Sequence, residues 1–227
     1  KSEAGPGDEV AADLLADLVR LYRDYRNDGE SARLAEEFTR AFPQSPRYFE
    51  IALAGCGARG RTKASPAPCY QKTLDEAARR GDRGAYGQVL SAYVDALAGQ
   101  KKVNDVVKIY WAEINRFPGD PELYDRFLEF LGGRRLLDEE QRVYEAAAKA
   151  LPGSDLPSRL ARFTLRERGQ AAYRDLVKRL TASLDGDLAD RLVSEVSSGS
   201  GRGWERAFYL EIHQKALARF PLEPRLL

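Results

Sequence analysis

The chain has 227 residues, 43% hydrophobic and 31% charged, a balance that suits a folded, well-solvated protein and excludes an intrinsically disordered one. Thirty-six Lys and Arg against thirty-five Asp and Glu leave a formal charge of +1, so net charge supplies no general attraction to nucleic acid or to an anionic membrane. No stretch approaches the roughly 18 apolar residues needed to cross a bilayer, so no membrane span is expected.

The N-terminal Lys1–Asp8 is polar and no apolar run of a secretory signal follows it. Methionine is absent, even at position 1, as expected of a processed or excised chain, and this leaves the localisation open. Residues 1–7 are expected to be disordered, and 8–227 to form one helical repeat domain with an inserted loop at 57–68. The first helical pair has Leu14, Leu15, Leu18 and Tyr22 on one apolar stripe and Leu34, Phe38 and Phe42 on the next, ending at Pro43. Pro46–Cys56 and Cys69–Arg80 form the second pair. Between them Gly57, Gly60, Pro66 and Pro68 predict a loop far longer than an ordinary turn. Leu90, Tyr93, Val94 and Leu97 then precede Val106, Ile109, Tyr110 and Ile114, which end at Pro118.

The clearest unit is Pro121–Pro152. Leu123, Tyr124, Phe127, Leu128 and Leu131 make one stripe, and Leu136, Leu137, Val143, Tyr144, Ala147 and Leu151 the other. Pro121 suits a first helical turn, where its missing N–H costs no hydrogen bond. Gly132-Gly133 is expected to supply a left-handed residue at the helix end. Leu160, Phe163 and Leu165 with Tyr173, Leu176, Val177 and Leu180 repeat the pattern. The last pair has Leu188, Leu192 and Val196, then a loosening Gly/Ser stretch at Ser197–Gly203, then Trp204, Phe208, Tyr209, Ile212 and Leu217.

Punctuation marks these units. Phe117-Pro118-Gly119-Asp120, Leu151-Pro152-Gly153-Ser154, Leu184-Asp185-Gly186-Asp187 and Phe220-Pro221-Leu222-Glu223 follow at steps of about 34 residues, and Phe42-Pro43-Gln44-Ser45 is the same mark earlier in the chain. Helices this short are not stable alone in water, so each must bury its apolar stripe on its neighbours. On Tyr124, Phe127, Leu128, Leu131, Tyr144, Ala147 and Pro152 the unit resembles a tetratricopeptide repeat, and the half-a-tetratricopeptide family is similar. Leu128 and Glu140 stand where that family has small residues. The resemblance implies an all-α fold, a right-handed superhelical solenoid of about five to six antiparallel helix pairs. It also implies a non-enzymatic scaffold that binds protein or peptide along the concave face of its first helices.

Carried over by alignment, the concave-face candidates are Arg20, Glu50, Asp95, Asp125, Glu129, Arg159 and Arg162. The acidic middle of that groove suits a basic or mixed peptide. The Lys and Asn of the family's clamp for a C-terminal carboxylate are missing, so a chaperone tail is not the expected ligand. The apolar ending Phe220–Leu227 lacks the polar cap of a terminal repeat, so it is expected to pack on a further domain or to self-associate. Two other readings remain open: an RNA-binding helical repeat, and a superhelical scaffold domain of a larger, cell-wall-active enzyme.

Other motifs weigh less. Gly55-Cys56-Gly57-Ala58-Arg59-Gly60 spells G-x-G-x-x-G, but no strand–turn–helix context surrounds it, and a loop is expected there. Cys56 and Cys69 bracket the inserted loop and suit a disulfide, and through it an exported or periplasmic protein; reduced cysteines are the alternative. His213 is the sole histidine, which leaves too few donors for a zinc site, and no metal or other cofactor is expected. Glu36-Glu37 and Glu139-Glu140 are expected to lie on solvated helix faces rather than to act as catalytic carboxylates. Arg59, Arg61, Lys63, Arg79, Arg80 and Arg83 are basic, but the first helices repeat no base-reading position, and nucleic acid is not the expected partner.

Overall fold

Helices account for every regular element among residues 6–62, 65–183 and 203–220, the part of the chain that the structure, a computed structural model, describes. They are α1 (Pro6–Asp24), α2 (Asp28–Ala41), α3 (Tyr48–Arg61), α4 (Ala67–Arg80), α5 (Arg83–Gly99), α6 (Val103–Arg116), α7 (Pro121–Gly132), α8 (Leu137–Ala150), α9 (Leu156–Ser183) and α10 (Gly203–Arg219). The chain divides into two compact units, Lys1–Val106 and Val107–Leu227. The helix start at Pro6 falls inside the 1–7 segment expected to be disordered, and the stripe Leu188, Leu192 and Val196 lies outside the described residues.

Two kinds of turn recur, and each has a hydrogen-bond signature. At the Phe-Pro and Leu-Pro marks, the N–H groups of Phe42, Phe117, Leu151 and Phe220 donate to the carbonyls four residues back, all at 2.8 Å. Three residues on, Ser45, Asp120 and Ser154 close the turn onto the carbonyls of Phe42, Phe117 and Leu151 at 3.1 Å. The proline that follows cannot continue a helix, so it fixes the stop. The other kind is a Schellman turn. Asn27, Asp82, Lys102 and Leu136 donate to the carbonyls five residues back, across a left-handed residue at Arg26, Gly81, Lys101 and Arg135. The left-handed residue expected at Gly132-Gly133 is therefore Arg135 (φ 55°), because α7 keeps Gly132 and Gly133 has helical φ of −60°. A third break lies inside α9 at Gly169, whose φ of 83° favours glycine.

Between one pair and the next, aromatic rings meet. Tyr70 of α4 stacks on Tyr93 of α5 with centroids 5.4 Å apart, and Tyr110 of α6 stacks on Phe127 of α7 at 4.7 Å. Tyr144 of α8 meets Phe163 of α9 at 5.3 Å, and Tyr173 of α9 meets Phe208 of α10 at 6.0 Å. Each such contact contributes about 0.5–1.5 kcal/mol beyond the area it buries.

The α2–α3 junction uses small residues instead. The inserted loop expected at 57–68 is a correction, since α3 runs on to Arg61, and α4 begins at Ala67. The G-x-G-x-x-G residues are thus helical, not a loop. Gly55 explains why glycine is there: a Cβ on it would lie 2.5 Å from the Ala35 Cβ, so the two backbones pass too closely for a side chain. Gly57, one half-turn away, is in ordinary contact range of only the Tyr70 hydroxyl, at 3.8 Å. Gly55→Ala is expected to destabilise the protein by about 1–3 kcal/mol through overpacking. Gly57→Ala is expected to stabilise it by about 0.5–1 kcal/mol, the glycine penalty of a helix interior. Denaturant unfolding of both variants would show opposite signs, and equal signs would reject the close-packing account.

Arg80 ties α4 back onto this junction. Its guanidinium lies 4.1 Å from the Tyr48 ring centroid, and its Nη2 donates to the Pro43 carbonyl at 2.7 Å. Glu76 holds it there through a 2.6 Å bond to Nε. Hydrogen bonds from Arg79 and then Arg80 outweigh burial and lower the Glu76 carboxyl from 4.5 to about 2. A folded value below the ordinary one means the folded state binds fewer protons. The stabilisation is complete above pH 4.5 and is lost as pH falls towards about 2. Glu76→Gln is expected to cost about 1–3 kcal/mol at pH 7 and nearly nothing at pH 2. A gap from wild type that persists at pH 2 in denaturant titrations would show that packing, not charge, is what Glu76 supplies.

Candidate functional site

Two neighbouring sets of first helices, α1 with α3 and α7 with α9, carry charges that meet their opposites. In the first unit Arg20 of α1 bonds Glu50 of α3, with Nε at 2.9 Å and Nη2 at 2.5 Å from Oε1. Arg47, at the start of α3, bridges to Asp13 at 3.1 Å, Asp17 at 3.4 Å and Glu50 at 3.5 Å. In the second unit Arg159 of α9 bonds Asp125 of α7 at 2.5 Å and lies over the Tyr144 ring. Four of the seven candidate residues therefore pair among themselves, at sequence separations of 30 and 34. Exposed pairs of this kind add little stability each, about 0.2–1 kcal/mol, but they hold their side chains in a fixed array.

Asp95 of α5 and Glu129 of α7 are exposed and carry no ion pair among the described residues, and Arg162 of α9 is exposed. Asp95 acts on Tyr70, whose hydroxyl pKa is raised first by burial and then, against the opposing charge of Arg61, by the Asp95 carboxylate. Because Glu129 lies one turn after Asp125, the two carboxylates share a face of α7.

Other candidates take structural places. Glu139 accepts from Trp111 Nε1 at 3.2 Å and from Arg142 at 2.6 Å. Glu140 departs from the solvated face expected of it: its position is 6% exposed, and burial pushes its carboxyl pKa up, opposed by Arg166 and reinforced by Glu167. Glu36 holds Arg59 at 2.5 Å and Glu37 holds Arg33 at 3.1 Å, both on the surface. His213 sits half-buried on α10 beside the Tyr209 ring. Among the described residues no group of three or more His, Cys, Asp or Glu could hold a metal ion, and no helix is long and apolar enough to cross a membrane.

A cleft of about 230 Å³ opens between α2, α3 and α4, walled by Ala32, Ala35, Gly55 and Cys69 and edged by Glu36, Arg59 and Lys72. It is smaller than the ~300–1,000 Å³ of small-molecule sites. Its Cys69 is disulfide-bonded to Cys56, with Cα atoms 5.4 Å apart and a sequence separation of 13. This bond joins α3 to the first turn of α4. Replacing both cysteines by serine is expected to cost about 2–3 kcal/mol from the unfolded-chain entropy alone. Unfolding midpoints with and without reductant would check it, since the double variant should be insensitive to reductant and match the reduced wild type.

The residues that sequence reasoning misplaced are on α1. Leu14 and Leu18 were expected in its buried stripe, yet they are 63% and 42% exposed, and Ala12, Ala16 and Val19 form the buried face instead. Arg47, which organises the Asp13–Asp17–Glu50 cluster, had no periodic signal, because it precedes the first turn of α3. No protein-family model matches this chain, and no curated protein matches it.

Proposed function

We propose that the chain is a non-enzymatic scaffold, a right-handed superhelical solenoid of tetratricopeptide-like pairs that binds protein or peptide segments on the concave face of its first helices. One observation carries this reading: the same kind of charged position on first helices is paired across one repeat step in both units, as Arg20–Glu50 and Asp125–Arg159. Paired side chains are already ordered before a ligand arrives, which reduces the entropy lost on binding. Each unit also exposes an acidic residue on a first helix, Asp95 on α5 and Glu129 one turn after Asp125 on α7, so the preferred ligand is a basic or mixed-charge extended segment. On this reading the Cys56–Cys69 disulfide suits an oxidising, extracytoplasmic compartment.

The test uses an array of peptides graded in Lys and Arg content, probed with wild type, Asp95→Lys and Glu129→Lys. Wild type is expected to retain the basic peptides in a salt-sensitive way. Each reversal is expected to lower affinity about tenfold, or ~1.4 kcal/mol. Peptides retained equally by wild type and both reversals would remove the acidic face from the reading.

A further inference from the structure

All six large apolar side chains that the described residues leave exposed lie at α1 or on α10. Val10, Leu14, Leu18, Leu21 and Tyr25 are 60, 63, 42, 49 and 78% exposed, and Leu210 is 50% exposed. The first five are spaced by four, four, three and four residues, which lines them up on one side of α1 and its last turn. A run of this size on one face of one helix exceeds the scattered apolar residues of an ordinary surface.

The fold itself indicates what such a face is for. On α3 the residues Ile51, Gly55 and Ala58 have the same spacing as Leu14, Leu18 and Leu21. There the face is closed. Ile51 is fully buried in a cluster with α1 and α2, Gly55 touches Ala35 of α2, and Ala58 is fully buried. α1 thus presents to solvent the side by which α3 receives the preceding helix pair, with bulkier residues on it.

The rim of the stripe is acidic. Asp13 and Asp17 have side chains 67 and 66% exposed, whereas their partner Arg47 is only 21% exposed, and Asp24, paired with the neighbouring Arg23, is 68% exposed. On α10 the outward residues Ala207, Leu210, Gln214 and Ala218 are small or uncharged around Leu210, and the exposed Lys215 and Arg219 flank them. Glu211, between them, is already held by Lys178 at 3.1 Å and Lys215 at 2.9 Å. A two-fold pairing of α1 with itself would bring like carboxylate rims together, while α10 offers an apolar centre with a basic edge.

We propose that α1 of one copy docks on α10 of a second copy, head to tail, extending the internal junction across the molecular boundary. The contact is heterologous, so a bound pair keeps one free face of each kind and can add further copies. The five stripe side chains bury about 60–100 Å² each, which places the interface at or below the ~1,000 Å² of stable complexes and its Kd on the order of 10–100 µM.

Sedimentation equilibrium over roughly 5–500 µM, spanning that Kd, tests it with three variants of the full chain. The mass of wild type is expected to rise past the dimer with concentration. Leu14→Glu/Leu18→Glu, blocked at α1, and Leu210→Glu, blocked at α10, are each expected to remain monomeric. Their equimolar mixture is expected to form a one-to-one dimer and nothing larger, because one open end of each kind remains. Circular dichroism shows that each variant keeps its helices, as expected for changes at exposed positions. Lys215→Glu, on the basic rim, provides a reading independent of the apolar changes and should weaken wild-type association about tenfold. Monomer at every concentration overturns the proposal. So does association of Leu210→Glu alone as strong as wild type, which would instead mark a two-fold pairing of α1.

Discussion

Most of the architecture rests on one contact, an aromatic ring from the second helix of a pair laid against a ring, or a close-packed apolar patch, on the first helix of the next. Tyr70 on Tyr93, Tyr110 on Phe127 and Tyr144 on Phe163 repeat it. Apart from the kinked α9, the helices have 12–19 residues and little stability of their own, and these contacts supply the burial that keeps them folded. They also set the axial register between neighbours. Once that register is fixed, charged residues 34 positions apart on successive first helices come within hydrogen-bond reach, as Asp125 and Arg159 do beside the Tyr144–Phe163 contact. The polar face is a consequence of the aromatic seam.

The α2–α3 junction solves the same problem by the opposite means. With Gly55 against Ala35, and Phe38 and Ile51 closing the space around them, it gains contact by backbone proximity rather than ring size. Such a seam has no slack, and the surrounding connections are correspondingly many. Arg80 reaches the Pro43 carbonyl, Arg61 reaches Asp28 at 2.7 Å, and the disulfide pins α3 to α4.

How much of this the sequence disclosed depends on which interaction sets each feature. The Phe-Pro and Leu-Pro turns were legible because proline and the preceding apolar residue determine their hydrogen bonds locally. The helical class was legible for the same reason, since an apolar return every three or four residues is a property of a single helix. Long-range choices were not. Nothing local separates Leu14 and Leu18, which face solvent, from Ala12, Ala16 and Val19, which face the core, because both sets have helical spacing. The glycines at 55, 57 and 60 suggested a loop because their helix-breaking tendency is local, whereas the approach of Ala35 that makes Gly55 useful is tertiary. The candidate residues Arg20, Glu50, Asp125 and Arg159 were placed by alignment, but alignment gave no hint that they would meet one another. Arg135 took the left-handed turn position that the adjacent glycines were expected to fill, since α7 extends over Gly132.

The disulfide has a mechanical meaning beyond its effect on stability. Pulled from its ends, the first unit would lengthen as its helices unravel, but the segment enclosed by Cys56 and Cys69 cannot join the extension. Thirteen Cα–Cα steps at ~3.5 Å each, less the 5.4 Å already spanned between the two Cα atoms, are withheld from the contour, a shortfall of about 40 Å. The crosslink therefore acts as a reducible length stop, and a chain under tension is shorter in an oxidising environment than in a reducing one by that fixed increment.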